Sequence, residues 1–232
     1  MNFTEGEIIA IDKPYGMSSF GALARIRYVL SHELDRKVKI GHAGTLDPLA
    51  TGVLILCTGK KTKQIEQLQY HTKEYTATLQ LGATTPSYDM EHTVNHTFPT
   101  RHITLEKIKE IIPQFLGDVQ QVPPTYSAVK VNGKRAFNYR RKGQDVVLEA
   151  KTVHIDEIEI TDFNAEKMQL SIRVVCGKGT YIRSLARDMG RALGSGAFLT
   201  ALRRTRVGEF SVDNCINFDH FKEWLEQQTI EK

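Results

Sequence analysis

The alternation of apolar and polar positions divides the chain into strands, helices and two irregular stretches. In "KEYTATLQLG", Tyr75, Ala77, Leu79 and Leu81 fall on one face and Thr76, Thr78 and Gln80 on the other, the period of a half-buried strand. "GVLILC" is an unbroken apolar run of strand length, the pattern of a strand covered on both faces. "EIIAIDKP" predicts a strand running into a turn, and "KTVHIDEIEI", "MQLSIRVVC" and "AFLTALRRTRVGEFSV" predict three more. "SSFGALARIRYVLSHEL" carries Phe20, Leu23, Ile26 and Leu30 at helical spacing, with Ser18 or Ser19 as N-cap. "TLEKIKEIIPQFLG" is a second helix, "GKGTYIRSLARDMGRALG" a third opened by a glycine-rich turn, and "FDHFKEWLEQQ" a closing helix with Phe218, Phe221, Trp224 and Leu225 on one side.

Two stretches break the pattern. "ATTPSYDMEHTVNHTFPTRH" is polar and aperiodic, which predicts an exposed loop or a small insertion. "VPPTYSAVKVNGKRAFNYRRKG" reads as a proline-led loop and a short basic helix, with six cations between Lys130 and Lys142 and no acid among them. No repeat, low-complexity segment or long linker divides the chain. The expectation is therefore one mixed α/β (α+β) domain over residues 1–232, with a mainly antiparallel sheet and an insertion at about 84–150.

Composition narrows the class. With 232 residues and 41% of them hydrophobic, the chain can bury a substantial core. No apolar stretch approaches the length of a membrane span, and "MNFTEGEIIAIDKP" lacks the basic-then-apolar order of a secretory signal, so a cytoplasmic protein with no membrane partner is expected. Cys57, Cys176 and Cys215 are odd in number and widely spaced, which argues against a disulfide framework and a structural zinc site. The net charge of +4 is mild, but the cations cluster at Lys60, Lys61, Lys63, between Lys130 and Lys142, and at Arg203, Arg204 and Arg206. Such clustering suits a nucleic-acid partner whose binding weakens with salt.

Single motifs do not decide the chemistry. "GVLILCTGKKT" has Leu54 where a phosphate-binding P-loop needs glycine, and Lys61 where it needs Ser or Thr after Lys60. His92 and His96 stand four apart, as ligands on a helix would, but within a polar, proline-bounded stretch where solvated loop histidines are expected. Asp47 before Pro48 has the form of a helix N-cap with proline at the first helical position. Periodicity places Tyr75 in the core, and for Tyr181 and Arg183 phosphate binding, capping and a surface ion pair all compete.

Their order along the chain is more specific. "IDKPYGMSS", "GHAGTLDPLATGVL", "KEYTATLQLG", "PPTYSAVKVNGKRA", "GKGTYIRSLARDMG" and "LRRTRVGEF" together resemble the bacterial tRNA pseudouridine-55 synthases, the TruB family, in register from about Ile8 to about Phe210. The resemblance implies a pseudouridine synthase fold and an isomerase of uridine in the T-loop of tRNA, with no metal, nucleotide or redox cofactor. It implies that Asp47, in an L-D-x-x-A-x-G motif with Leu46, Ala50 and Gly52, is the nucleophile, that Tyr75 stacks on the uracil, and that Arg183 pairs with Asp47. Tyr181 and Leu202 would line the pocket, His42 would enter the RNA loop, and Lys13, Asp89, Lys130 and Arg135 would complete the substrate-binding set. "TTPSYD" keeps Asp89 but departs from the family's usual run at Pro86 and Ser87. Only about twenty residues follow Phe210, so the expected form is short, without a C-terminal PUA domain, monomeric, and reading the T-arm alone.

The reaction detaches uracil at N1, turns it over and reattaches it through C5. An ionised carboxylate can add to uracil C6, add to ribose C1′, or assist loss of the base toward a glycal, and the sequence leaves these routes open. Two rivals follow from the same residues: an RNA-binding or RNA-folding protein, against which the set Asp47, Tyr75 and Arg183 speaks, and a carboxylate-dependent hydrolase, which the basic clusters disfavour.

Overall fold

The computed structural model describes residues 1–127, 129–131, 133–141, 144 and 147–231. Lys142 lies outside the described residues, as do the side chains of Lys130 and Arg135. In chain order the elements are β1 (Ile8–Lys13), α1 (Ser19–Glu33), β2 (Ile40–Ala43), β3 (Thr51–Thr58), α2 (Ile65–Leu68), β4 (Lys73–Leu81), β5 (Ala83–Thr84), β6 (His96–Thr97) and α3 (Leu105–Ile111). They continue with β7 (Gly117–Gln121), β8 (Lys130–Val131), β9 (Lys134–Arg135), α4 (Ala136–Arg141), β10 (Lys151–Asn164), β11 (Gln169–Cys176), α5 (Ile182–Ala192), β12 (Ala197–Val207), β13 (Phe210–Ser211), β14 (Ile216–Asn217) and α6 (Phe221–Glu226). The class is the expected mixture of helices with a mainly antiparallel sheet. Among the described residues no helix is long and apolar enough to cross a membrane.

The chain forms two compact units, residues 1–75 with 202–232, and residues 76–201. In the first, β3 pairs antiparallel with β1 and β2 and parallel with β12, while β1 pairs parallel with β14. Leu54 and Leu56 point from β3 into a cluster with Ile9, Ile11, Leu23, Ile26, Leu30, Phe218, Phe221 and Leu225. Val53, Ile55 and Cys57 point the other way, into a second cluster with Ala43, Leu68 and Val207. Both faces of β3 are covered, which is why its sequence is apolar without alternation. The three cysteines are free thiols.

In the second unit β10 pairs antiparallel with β11 and β7, with register shifts between Ile155 and Glu157 and between Ile160 and Asp162. Strand β4, whose first three residues belong to the first unit, alternates as expected, with Tyr75, Ala77, Leu79 and Leu81 buried. Pro113 stands at the second position of a single 3-10 turn that follows α3 and ends at Phe115, and Leu116 is extended.

Three local expectations are corrected. Phe20 is 66% exposed, and the inward arc of α1 is Ser19, Ala22, Leu23, Ile26 and Leu30. At about 100° per residue, an arc centred on Leu23, Ile26 and Leu30 places Ser19 inside it and Phe20 on its rim. Asp47 is not a helix N-cap: the Ala50 amide donates to the Asp47 carbonyl at 3.1 Å, closing a turn that leads straight into β3. The stretch after β4 is not simply exposed loop, since Thr85, Ser87 and Asp89 are buried in it.

Candidate active site

In the first unit, the L-D-x-x-A-x-G motif is a loop fastened on both sides of Asp47. Leu46 is buried, and its amide donates to Ser19 Oγ at 2.8 Å while Ser19 Oγ donates back to the Leu46 carbonyl at 2.9 Å. On the other side, the Pro48 carbonyl accepts from the Gly16 amide at 2.9 Å and from Lys13 Nζ at 3.4 Å. Ala50 is buried beneath the turn, and Gly52 has φ +103° where β3 meets β12. Asp47 itself is half-buried. Leu46, Ala50 and Gly52 thus each meet a physical demand of the loop.

Two buried cations surround this loop. Lys13 has no exposed surface and donates to the carbonyls of Pro14 at 2.7 Å and Met17 at 2.6 Å. Burial lowers its pKa to about 8, against the attraction of Asp47, which favours the ammonium, and with the added repulsion of Arg204. Arg204 was expected to contact phosphate. It is 1% exposed and donates instead to the carbonyls of Val53 at 2.8 Å and Gly44 at 3.1 Å, so its guanidinium cannot reach an RNA backbone. Those two carbonyls flank the Asp47 loop, and Arg204 therefore ties its base together.

Arg203 forks onto Asp12 at 2.7 and 3.1 Å and also donates to Thr51 Oγ at 3.2 Å. Arg206 faces Glu74 at 3.4 Å, and Lys60 pairs with Glu5. His42 sits on β2 with a buried Nδ1 that has no hydrogen-bond partner among the described residues. Burial, and then Arg204, hold its pKa below the usual imidazole value, so the ring is neutral at neutral pH. Tyr75 is buried on β4, and Leu202 is half-buried on β12.

The second unit positions Arg183, Tyr181 and Asp89. Arg183 Nη1 donates to the Ser87 carbonyl at 3.1 Å and Nη2 to the Tyr126 carbonyl at 2.9 Å, with Nε 3.8 Å from Asp89 Oδ2. Asp89 Oδ1 accepts from Ser87 Oγ at 2.5 Å and from the Glu91 amide at 3.0 Å. The guanidinium is therefore oriented from several sides by groups that a lysine could not engage together. The Tyr181 amide donates to Gln121 Oε1 at 2.8 Å.

Other residues of α5, unremarked in the sequence, hold the segment that leads to Tyr126. Ser184 Oγ and Arg187 Nη2 both donate to the Val122 carbonyl, at 2.8 and 2.9 Å, and Arg187 lies over the Tyr88 ring at 5.2 Å. The available signal was the recurrence of hydrogen-bonding side chains at positions 183, 184 and 187 of a helix that also buries Leu185 and Met189. His92 packs its ring 4.5 Å from that of Tyr126, and His96 is exposed on β6. Among the described residues no group of three or more His, Cys, Asp or Glu side chains could hold a metal ion.

Comparison with known proteins bears on what these side chains serve. The profile of the TruB family pseudouridylate synthase N-terminal domain matches residues 31–182, and that of the tRNA pseudouridylate synthase B C-terminal domain matches residues 183–232. The tRNA pseudouridine synthase B of Phocaeicola vulgatus is 57% identical over 233 residues, spanning 100% of this chain and 98% of that protein. Its counterpart in Flavobacterium johnsoniae is 49% identical, spanning 97% of this chain and 98% of that protein. Among solved structures, a chain of a Cbf5-Nop10-Gar1 complex matches with a TM-score of 0.70 and 31% identity over 97% of this chain. A chain of an H/ACA RNP bound to a substrate RNA containing 2′-deoxyuridine matches with a TM-score of 0.68 and 28% identity over 97% of this chain. The chain spans 56% of the length of each of these two structural neighbours.

Proposed function

From the premise that this chain belongs to the TruB family of pseudouridylate synthases, we propose that it isomerises uridine-55 in the T-loop of tRNA with Asp47 as nucleophile. That it is a tRNA pseudouridine synthase, an isomerase, follows from the family and from the identity to its relatives over the full chain. The choice of Asp47 is supported by one observation above all. The chain holds this carboxylate in a turn fastened at Leu46 and Pro48, beside the buried ammonium of Lys13. A half-buried carboxylate so fixed can meet an incoming ribose or base with little reorganisation.

In this reading Arg183 serves the reaction as a fixed planar cation, and its prior orientation by Ser87, Tyr126 and Asp89 supports that role. Tyr75 stacks on the detached uracil, Tyr181 and Leu202 line the pocket, and the neutral ring of His42 fills the space left by the flipped base. Lys13 acts on the RNA through the Asp47 loop, since it has no exposed surface of its own. Lys130 and Arg135 supply phosphate contacts. The enzyme works as a monomer in the cytoplasm on the T-arm, and the isomerisation balances without a cofactor because ribose C1′ passes from N1 to C5 while C5 gives up its proton and N1 takes one up.

Formation of the new C5 bond expels the hydrogen on that carbon. tRNA transcript tritiated at uridine C5 therefore releases label when incubated with the protein, and retention of label by a folded protein would overturn the proposal. Arg183→Lys keeps a cation but loses the planar fork, so turnover falls about a hundredfold or more while tRNA affinity changes by less than about threefold. Equal losses in the two measurements would make Arg183 an RNA-binding residue instead.

A further inference from the structure

Helix α1 buries one arc and leaves another bare. Tyr28 is 70% exposed and Phe20 66%, and Tyr15, in the turn that precedes the helix, is 60% exposed. Packing does not account for three large rings in water within fourteen residues. Arg27, also exposed, stands two turns beyond Phe20 and about 20° from it around the helix, with Tyr28 about 80° to the other side of Phe20, and no acid occurs from Pro14 to His32. Arg25 borders the arc and packs over the Phe218 ring at 5.2 Å.

The position of this face gives it meaning. Tyr15 directly precedes Gly16, which bonds to Pro48, and Phe20 directly follows Ser19, which bonds to Leu46. The turn before α1 and the first residue of the helix thus hold the Asp47 loop on both sides, and Tyr15 and Phe20 each stand next in sequence to one of those fastening residues. Arg27 and Tyr28 follow about 10–12 Å further along the helix axis. Aromatic faces stack on unpaired bases and a guanidinium meets phosphate or stacks in turn, and a face with cations but no acid offers a polyanion no repulsion.

We infer that Tyr15, Phe20, Arg27 and Tyr28 form an RNA-contact track that leads away from the Asp47 loop and receives nucleotides neighbouring the one that reacts. The inference rests on Asp47 as the reacting residue. Its occupant is tRNA, and a second copy of the chain is the competing occupant.

The test is equilibrium binding of tRNA and of an isolated T-arm hairpin at several salt concentrations, with sedimentation of each protein alone. All four side chains lie outside the core, so the variants fold. The double variant Tyr15→Ser with Phe20→Ser weakens tRNA binding by about fivefold or more, and turnover at saturating tRNA falls by less than affinity does. Arg27→Gln lowers the slope of log Kd against log salt by about one. Unchanged affinity and slope overturn the track, as does unchanged affinity with a shift to smaller species in sedimentation, which assigns the face to contacts between copies. The Asp47→Asn variant separates the two claims. If it keeps turnover, the nucleophile assignment fails, whereas the track is decided by affinity alone.

Discussion

Asp47→Asn lowers turnover on tRNA by at least about a thousandfold, with tRNA affinity within about threefold of the parent. The amide keeps the shape of the side chain, and the fastenings of the loop at Leu46 and Pro48 use neighbouring backbone and Ser19, so the turn itself survives. What disappears is the negative charge and the nucleophilic oxygen. Lys13 responds as well, because Asp47 favours its ammonium form, and with that charge gone its pKa falls further below about 8. Single-turnover tritium release together with filter binding separates the effects. Turnover above about one hundredth of the parent value would show that the carboxylate is not the nucleophile.

Gly52→Ala is the second large effect, and it acts on folding. A Cβ at position 52 would stand 2.1 Å from the Arg204 carbonyl oxygen and 2.9 Å from its backbone nitrogen, and the backbone there has φ +103°. The obstacle is main chain in a paired strand, where Arg204 stands opposite Gly52, so it cannot swing aside. Backbone strain of about 1–3 kcal/mol and crowding of about 1–3 kcal/mol give a loss of about 3 kcal/mol or more. For a chain of this size that lowers Tm by about 6–12 °C. Scanning calorimetry checks it, and a Tm within about 2 °C of the parent would mean that β3 and β12 tolerate separation. The same separation would shift the Arg204 bonds to Val53 and Gly44, so the residual folded protein is also slow.

These two residues also show how much the linear chain disclosed. The strand periods of β3 and β4, the helices α1 and α5, and the family motifs were readable because each depends on near neighbours: an alternation, a helical spacing, a run of residue types. The reason Gly52 is glycine was not readable, because its obstacle lies 152 residues away at Arg204. Arg204 itself, grouped by sequence with Arg203 and Arg206 as a phosphate contact, is buried on carbonyls at the base of the Asp47 loop. Charge type alone does not reveal which member of a cationic run points inward.

Phe20 and Ser19 make the same point in reverse. Apolar spacing assigned Phe20 to the core, yet Ser19 turns inward, because its hydroxyl satisfies both backbone groups of Leu46 across 27 residues. A buried polar pair of that kind outweighs the apolar preference of one ring at the rim of a helix. Arg183 illustrates the remaining class. Its importance was inherited from a motif, and its partners Ser87, Asp89 and Tyr126 come from a stretch read as exposed loop and from a proline-led loop.

By itself, then, the sequence determined the element types and the family and singled out Asp47 as the candidate nucleophile, since these are written in local pattern and motif order. Tertiary structure alone decided which cations are structural and which glycine is obligatory. It also decided which aromatic rings remain in water, because those outcomes depend on pairings between segments that no local period encodes.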